Sequence, residues 1–361
     1  MVGAVGPKRA VWLVITAGLV LFTMWMIFEW APTERNLGEI QRALYIHVPL
    51  AWISMVAVFI VASASVMYLI TGKRKWDSVA LATAETGVLV GTLMLVTGAI
   101  WAKPIWNVWW TWDAKLTTTA ILWFLYVAYL MLRSFAPPGN QAYRMAAVVA
   151  ILGAVDVPLV YYAADLWRTA HPELLIGPAA ESSGLSSEMS ITLLVSVVAF
   201  TSLYAYMVVD RYRVRQSENE LGELKRDVRN LLYRPAAEPA TAATMRGAVP
   251  AASGDSMLAV LKRPSSIVLA LLVLLVPAGA VALASAGGPP EVAAEIAAQE
   301  NTNTEANLDF LFAIYMITWA GFFAYVFVVS RRQRTMEREI KDLRQLLTEQ
   351  MPSGQPGTGK G

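Results

Sequence analysis

Long apolar runs broken by short polar stretches dominate this chain. Eight of them reach the roughly 20 residues that a helix needs to cross a bilayer. They fall at about 11–28, 44–70, 79–101, 117–133, 145–164, 190–209, 266–286 and 308–329. Inside hydrocarbon every backbone amide must find its partner within the protein, so such runs are expected to be helices. The pattern predicts an all-α polytopic membrane protein. Its first 210 residues hold six spans joined by short loops, and two further spans follow a long interruption.

The interruption has structure of its own. From 211 to 234 the chain is polar, with Val214, Leu221 and Val228 seven apart and Leu224 and Leu231 at the complementary heptad positions. That spacing suits a short amphipathic helix outside the membrane. Residues 235–256 are rich in Ala, Pro, Gly and Ser and read as a flexible linker. The last unit, 257–361, opens with Met257, Lys262 and Arg263 before the seventh apolar run, which ends in Ala284-Ser285-Ala286. A basic start, an apolar middle and a small-residue end fit either a seventh membrane helix or a signal-like segment cut at Ala286-Gly287. After the eighth span, Met336, Ile340, Leu343 and Leu347 make a second apolar stripe. The two stripes suit a short parallel coiled coil, two solvated helices or a docking surface for a partner.

Charge sets the expected orientation. Lys8, Arg9, Lys73, Arg74, Lys75, Arg133, Arg144, Arg211, Arg213, Arg215, Arg331, Arg332 and Arg334 all fall on one side if eight helices alternate. The loops on the other side carry acids such as Glu291, Glu295, Glu300 and Glu305. The positive-inside rule then puts both termini in the cytoplasm. Composition agrees with the class, at 56% hydrophobic and only 16% charged residues. The net charge of +2 is uninformative in a membrane protein, nothing in the sequence suggests nucleic-acid binding, and the absence of cysteine excludes thiol–disulfide chemistry by the chain itself. Glu85 and Asp156 fall inside expected spans without an evident cation partner, which suits protonated, hydrogen-bonded carboxyls between helices or, for Asp156, pairing with backbone groups freed by Pro158.

Candidate chemistry concentrates on the outer side. Residues 101–113 read WAKPIWNVWWTWD, with five of the chain's thirteen tryptophans in twelve positions, followed by an aspartate. Trp101, Trp106, Trp109, Trp110, Trp112 and Asp113 suit a flat platform for a large planar ligand. They equally suit a dense interfacial belt, with Asp113 capping the next helix or pairing with Lys115. The chain has two histidines, His47 and His171, and both are expected on the side of the tryptophan loop. Each could be an ordinary interfacial histidine. Together they could supply the fifth and sixth ligands of a haem iron, with the macrocycle against the indoles. Arg42, Lys103, Lys115 and Arg168 are the cations topologically near enough to face haem propionates.

These residues carry a family resemblance. WAKPIWNVWWTWDAKLT resembles the tryptophan-rich WWD signature of the haem-handling proteins of cytochrome c biogenesis. LYIHVPLAWISM and YYAADLWRTAHPE resemble the two histidine-bearing regions of the CcmC family within that group, and the likeness covers about residues 10–210. It implies His47 and His171 as axial ligands of haem b (iron protoporphyrin IX), with the five tryptophans and Asp113 as the platform. Ala102 and Asn107 stand where glycines are usual, and Lys115 where arginine is usual. The stretch 308–344 is similar to the small single-span partner CcmD, which implies a natural fusion that supplies that partner in cis.

The resemblance further implies a bacterial inner-membrane protein that presents haem at the periplasmic face. It would hand haem to the chaperone CcmE alongside the ABC-type subunits CcmA and CcmB. Bond-making would then belong to the haem and the partner, so handling rather than enzymatic turnover is expected. Two rivals are a lyase that attaches haem directly to apocytochrome c and a permease that exports haem. The lyase reading expects more histidines, and the permease reading expects a second aromatic or histidine cluster facing the cytoplasm.

Overall fold

The computed structural model describes residues 7–136, 139–167, 185–232 and 307–350, and among them the regular elements are helices, with one isolated β-bridge between Glu34 and Gly38. Helix α1 runs Pro7–Trp25 and ends in a π-helical turn, Met26–Trp30. A 3-10 turn, Glu39–Ala43, leads into α2, Leu44–Thr71. Then come α3 (Arg74–Trp106), α4 (Ala114–Phe135), α5 (Asn140–Trp167), α6 (Ser187–Leu232) and α7 (Leu308–Gln350). These seven helices are long and apolar enough to cross a membrane. They match the first six expected spans and the eighth. The 235–256 linker, the 266–286 run and the Ala286 junction lie outside the described residues.

The described residues form two compact units, one of 7–212 with 308–328 and one of 213–232 with 329–350. In the first, α2 is central because both of its faces are covered. Leu44, Tyr45, Leu50 and Ile53 share a cluster with Val90 and Leu93 of α3, Phe200 and Met207 of α6, and Ile314 and Phe322 of α7. Val58 and Val61 share another with Ala80 and Ala84 of α3, Leu122 and Tyr126 of α4, and Ala150 and Val157 of α5. Lipid gives helices no hydrophobic reason to associate, so close approach at small residues matters more. Gly87 supplies it, since a Cβ there would lie 3.0 Å from Ala57 Cβ.

Polar groups add specific ties between helices. Tyr204 Oη donates to Thr83 O at 3.1 Å, and Trp123 Nε1 donates to Thr92 Oγ1 at 2.9 Å. At the Arg-rich end, Arg133 of α4 pairs with Asp77 of α3 at 2.8 Å and lies 4.4 Å from the Tyr143 ring of α5. Arg9 of α1 pairs with Asp210 of α6. Glu85 departs from expectation: it has a cation partner, Arg211, whose Nη2 lies 2.9 Å from Glu85 Oε1. Arg211 reads in the sequence as the first residues of a cytoplasmic segment. Instead α6 continues without a break, and its continuing turns keep Arg211 buried beside α3. Asp156 is buried, and its Oδ2 has no hydrogen-bond partner among the described residues.

The second unit pairs the two amphipathic stripes. Val214, Leu221, Met336 and Ile340 are buried, although the remainder of both segments is largely exposed. Glu218 meets Arg332 at 2.9 Å, and Lys225 meets Glu339 at 2.5 Å. Both helices advance seven residues in the same direction between those ion pairs. That is parallel, heptad-registered pairing, and of the three sequence readings it selects the coiled coil.

Candidate functional site

The site begins in the last turns of α3. Thr97, Gly98 and Trp101 are spaced i, i+1, i+4, so they share one face of the helix. His47, one turn into α2, lies over that face and is only 9% exposed. A Cβ on Gly98 would come within 2.7 Å of His47 Cε1, so the absence of a side chain there is what admits the imidazole. Trp101 flanks it, with ring centroids 5.7 Å apart and planes at 57°.

His47 has a polar neighbour in Thr97. Thr97 Oγ1 donates to Met94 O at 3.1 Å and lies 3.3 Å from His47 Nδ1. With the hydroxyl proton on that carbonyl, Nδ1 donates to Thr97 and the ring takes the tautomer with its lone pair on Nε2. A hydrogen bond on the far nitrogen is how proteins orient imidazoles that ligate metals.

Beyond Trp101 the helix stops in a defined way. Asn107 adopts the left-handed conformation, φ 55°, in which glycine is favoured and asparagine is the best-tolerated alternative. That explains how asparagine serves at a position where the resembling signature carries glycine. Lys103 Nζ donates to both the carbonyl and Oδ1 of Asn107, each at 2.9 Å, and places a cation at the helix C-terminus. Asp113 caps α4: Oδ1 accepts from Leu116 N at 3.0 Å, and Oδ2 accepts from Thr111 Oγ1 at 2.7 Å. Between these two caps the loop displays its indoles. Trp109 is 53% exposed and Trp112 75%, and Trp110 packs edge-on against Trp112 at 5.7 Å. Trp106 is half-buried in the final turn of α3.

The neighbouring wall is built around Arg42, which is buried. Its guanidinium meets Glu39 Oε2 at 2.5 Å and Thr33 Oγ1 at 3.3 Å, and it caps the carbonyls of Ile27 and Ala31 left open by the π-helical turn. Of the four cations expected near a propionate, Arg42 is thus committed to this turn and Lys103 to the α3 cap. Lys115 reaches Tyr161 O of α5 at 3.2 Å, a single-point bond that its ammonium makes without arginine's planar fork. Arg168 and His171 lie outside the described residues, so only one of the two histidines has a described place.

Sequence reasoning missed three contributors. Thr97 and Gly98 were legible only through their helical spacing from Trp101, once His47 was known to face them. Phe310, at the start of α7, packs against Trp109 with centroids 6.0 Å apart. Several buried polar atoms at this end have no hydrogen-bond partner among the described residues: Trp101 Nε1, Trp110 Nε1, Tyr45 Oη and Gln41 Oε1. Buried donors are nearly always satisfied in finished structures, so unmet indole N–H groups mark a place where an acceptor is expected. Among the described residues no group of three or more His, Asp or Glu side chains could hold a metal ion.

Seven described membrane-length helices, with an imidazole and an aromatic loop together at one end, define a polytopic membrane protein whose outstanding site is a tryptophan-walled surface. The chain belongs to the CcmC family of cytochrome c biogenesis, described as Heme exporter protein C, whose profile matches residues 4–227. It is 34% identical over 184 residues to Heme exporter protein C of Haemophilus influenzae, covering 51% of this chain and 74% of that one. It is 33% identical over 215 residues to the Bradyrhizobium diazoefficiens protein of the same name, covering 60% and 79%. A ccmC-like mitochondrial protein of cytochrome c biosynthesis from Marchantia polymorpha is 30% identical over 180 residues, covering 50% and 75%.

Proposed function

We propose that this protein holds haem b at the periplasmic face of a bacterial inner membrane and passes it to the chaperone CcmE, in company with the ABC-type subunits CcmA and CcmB. The observation that carries the reading is a buried imidazole, His47, seated between Thr97 and Trp101; donation from Nδ1 to Thr97 is the arrangement that suits ligation through Nε2. His47 would ligate iron through Nε2, with His171 as the second axial ligand. Trp101, Trp106, Trp109, Trp110 and Trp112 would cover the macrocycle. The donor set fits such a ligand, because a porphyrin brings four of its iron's ligands and asks the protein for two. It also brings carboxylates, which the unmet indole N–H groups of Trp101 and Trp110 are able to satisfy. Haem supplies the redox-active iron and the vinyl groups. The chain's own task is to orient the ring, exclude water from one face and leave an edge open to the chaperone.

Asp113 enters this reading as a positioning group, since its carboxylate sets the start of α4 and the end of the tryptophan loop. Residues 308–350 would supply the CcmD-like function in cis, and both termini would be cytoplasmic. The test is the absorption spectrum of the detergent-purified chain, as wild type and as His47→Ala, His171→Ala and the double variant. Wild type should carry haem with a low-spin, two-histidine spectrum. Each single variant should shift that spectrum, and the double variant should lose it. A double variant with an unchanged spectrum would show that these imidazoles do not ligate iron.

A further inference from the structure

The proposed haem site is built on residues before 172, yet the structure ties its described walls to a helix 200 residues further along the chain. Phe310 and Tyr315 stand on the first two turns of α7. Phe310 packs on Trp109, the exposed indole at the middle of the tryptophan loop, with centroids 6.0 Å apart. Tyr315 is buried, and its hydroxyl donates to Arg42 O at 3.2 Å. Its ring also lies 5.2 Å from Phe28, in the π-helical turn that Arg42 caps. Two separate walls, the loop after α3 and the turn before α2, therefore rest on one helix.

The rest of the span shows that this contact is anchored. Ile314 and Phe322 belong to the buried cluster around α2, and Phe200 of α6 packs on both Trp319 and Phe322. At Gly321 a Cβ would lie 2.9 Å from Leu93 Cδ2, so α7 and α3 meet at close range there. A helix packed on α2, α3 and α6 through Ile314, Trp319, Gly321 and Phe322 gives Phe310 and Tyr315 an anchored base. The tryptophan loop, in contrast, has no regular structure between its two caps, and Trp109 is half exposed.

We infer that Phe310 and Tyr315 are positioning residues for the tryptophan-walled site: α7 acts as a brace that holds Trp109 and the Arg42-capped turn in ligand-ready positions. The inference rests on the proposed haem reading for its ligand, but the brace itself is a property of the protein and is measurable without haem. A mobile loop must be ordered when a flat ligand binds, and a brace that orders it beforehand removes that cost. Phe310 should therefore govern ligand retention although it need not touch the ligand. Tyr315 should act through Arg42 and the turn.

The absence of cysteine makes a direct test clean. A single cysteine at Val108→Cys, in the full-length chain in inverted and right-side-out membrane vesicles, is labelled with an impermeant maleimide, with and without Phe310→Ala or Phe310→Trp. In parallel, haem retained per protein is read from absorbance for Phe310→Ala, Phe310→Trp and Tyr315→Phe, in samples that remain monodisperse in detergent. Phe310→Ala should label several-fold faster and retain several-fold less haem, Phe310→Trp should restore both, and Tyr315→Phe should weaken retention while leaving labelling at 108 unchanged. Labelling unaffected by Phe310→Ala would overturn the brace. Faster labelling with haem retention unchanged would overturn its role in holding the ligand. If wild type itself holds no haem, the functional reading fails, and the labelling arm still decides the brace.

Discussion

The two ends of the first helical unit solve opposite problems with similar materials. At the Arg-rich end, buried and half-buried charges meet opposite charges: Arg9 with Asp210, Arg133 with Asp77, and Arg211 with Glu85. Aromatic rings there serve the cations, as Tyr143 does for Arg74 and Arg133. At the tryptophan end the aromatic rings are turned outward, and the cations are spent on backbone carbonyls that end or join helices. Buried indole N–H groups are left without acceptors there. Arg9 Nε and Arg133 Nε and Nη1 at the first end also lack hydrogen-bond partners among the described residues, so the ends differ in charge pairing: one matches its charges to each other, whereas the other exposes flat aromatic surface. Stability and ligand capture are thus assigned to different ends, and variants at each should fail in different ways.

The largest stability effect is expected at the ion-paired end. Arg211→Ala strands Glu85, a half-buried carboxylate on α3, without the buried guanidinium that pairs with it. Removing one member of a fully buried pair costs about 3–5 kcal/mol, and the partial exposure of Glu85 brings the expected loss to about 2–3 kcal/mol. Thermal unfolding in detergent should show a marked loss, and Arg211→Leu combined with Glu85→Leu should recover most of it. Haem bound by the fraction that stays folded should be unchanged. If the single variant unfolds like wild type, that end does not hold the bundle, and the contrast between the ends collapses.

Much of this division was legible in the sequence, for reasons that differ by element. The spans were visible because apolar length alone dictates a membrane helix, and the six early spans and the eighth appear where expected. The tryptophan loop was visible because no core needs five indoles in twelve residues. What stayed hidden depended on contacts between distant segments. Glu85 looked unpaired because its partner, Arg211, sits 126 residues away at a point where the chain appeared to have left the membrane. Arg42 looked available to an anion, because nothing in the sequence says that a π-helical turn will leave carbonyls for it to cap. Asn107 looked like a departure from the signature until its backbone angle showed the glycine-like role it fills.

A substitution of intermediate effect tests the seam between the two ends. Gly98→Ala would place a methyl group 2.7 Å from His47 Cε1 and 3.4 Å from Nδ1, contacts that the imidazole can relieve only by moving off Thr97. Overfilling a packed interior costs about 1–3 kcal/mol. A modest loss of stability is expected, together with a changed haem spectrum, because the displaced ring no longer presents Nε2 in the same direction. Thr97→Val, which removes the Nδ1 acceptor without adding bulk, should change the spectrum with a smaller stability loss, on the order of 1 kcal/mol. If Gly98→Ala lowers stability yet leaves the spectrum of bound haem untouched, then His47 is a packing residue and the site lies elsewhere.

The smallest stability effect is expected where the sequence is most conspicuous. Trp112 is 75% exposed, and its one described ring contact is the edge-on packing with Trp110. A surface side chain of this kind contributes less than about 0.5 kcal/mol to folding. As part of a ligand platform it would contribute about 0.5–1.5 kcal/mol of stacking, which is roughly two- to tenfold in affinity. Trp112→Ala should therefore unfold at nearly the wild-type temperature while retaining two- to tenfold less haem, with Trp112→Phe in between. An interfacial belt residue would behave in reverse: its loss would leave haem binding alone and would alter how the helices seat in a bilayer. Measuring both quantities on one variant decides between platform and belt, because the ring cannot serve the ligand without the haem titration recording it.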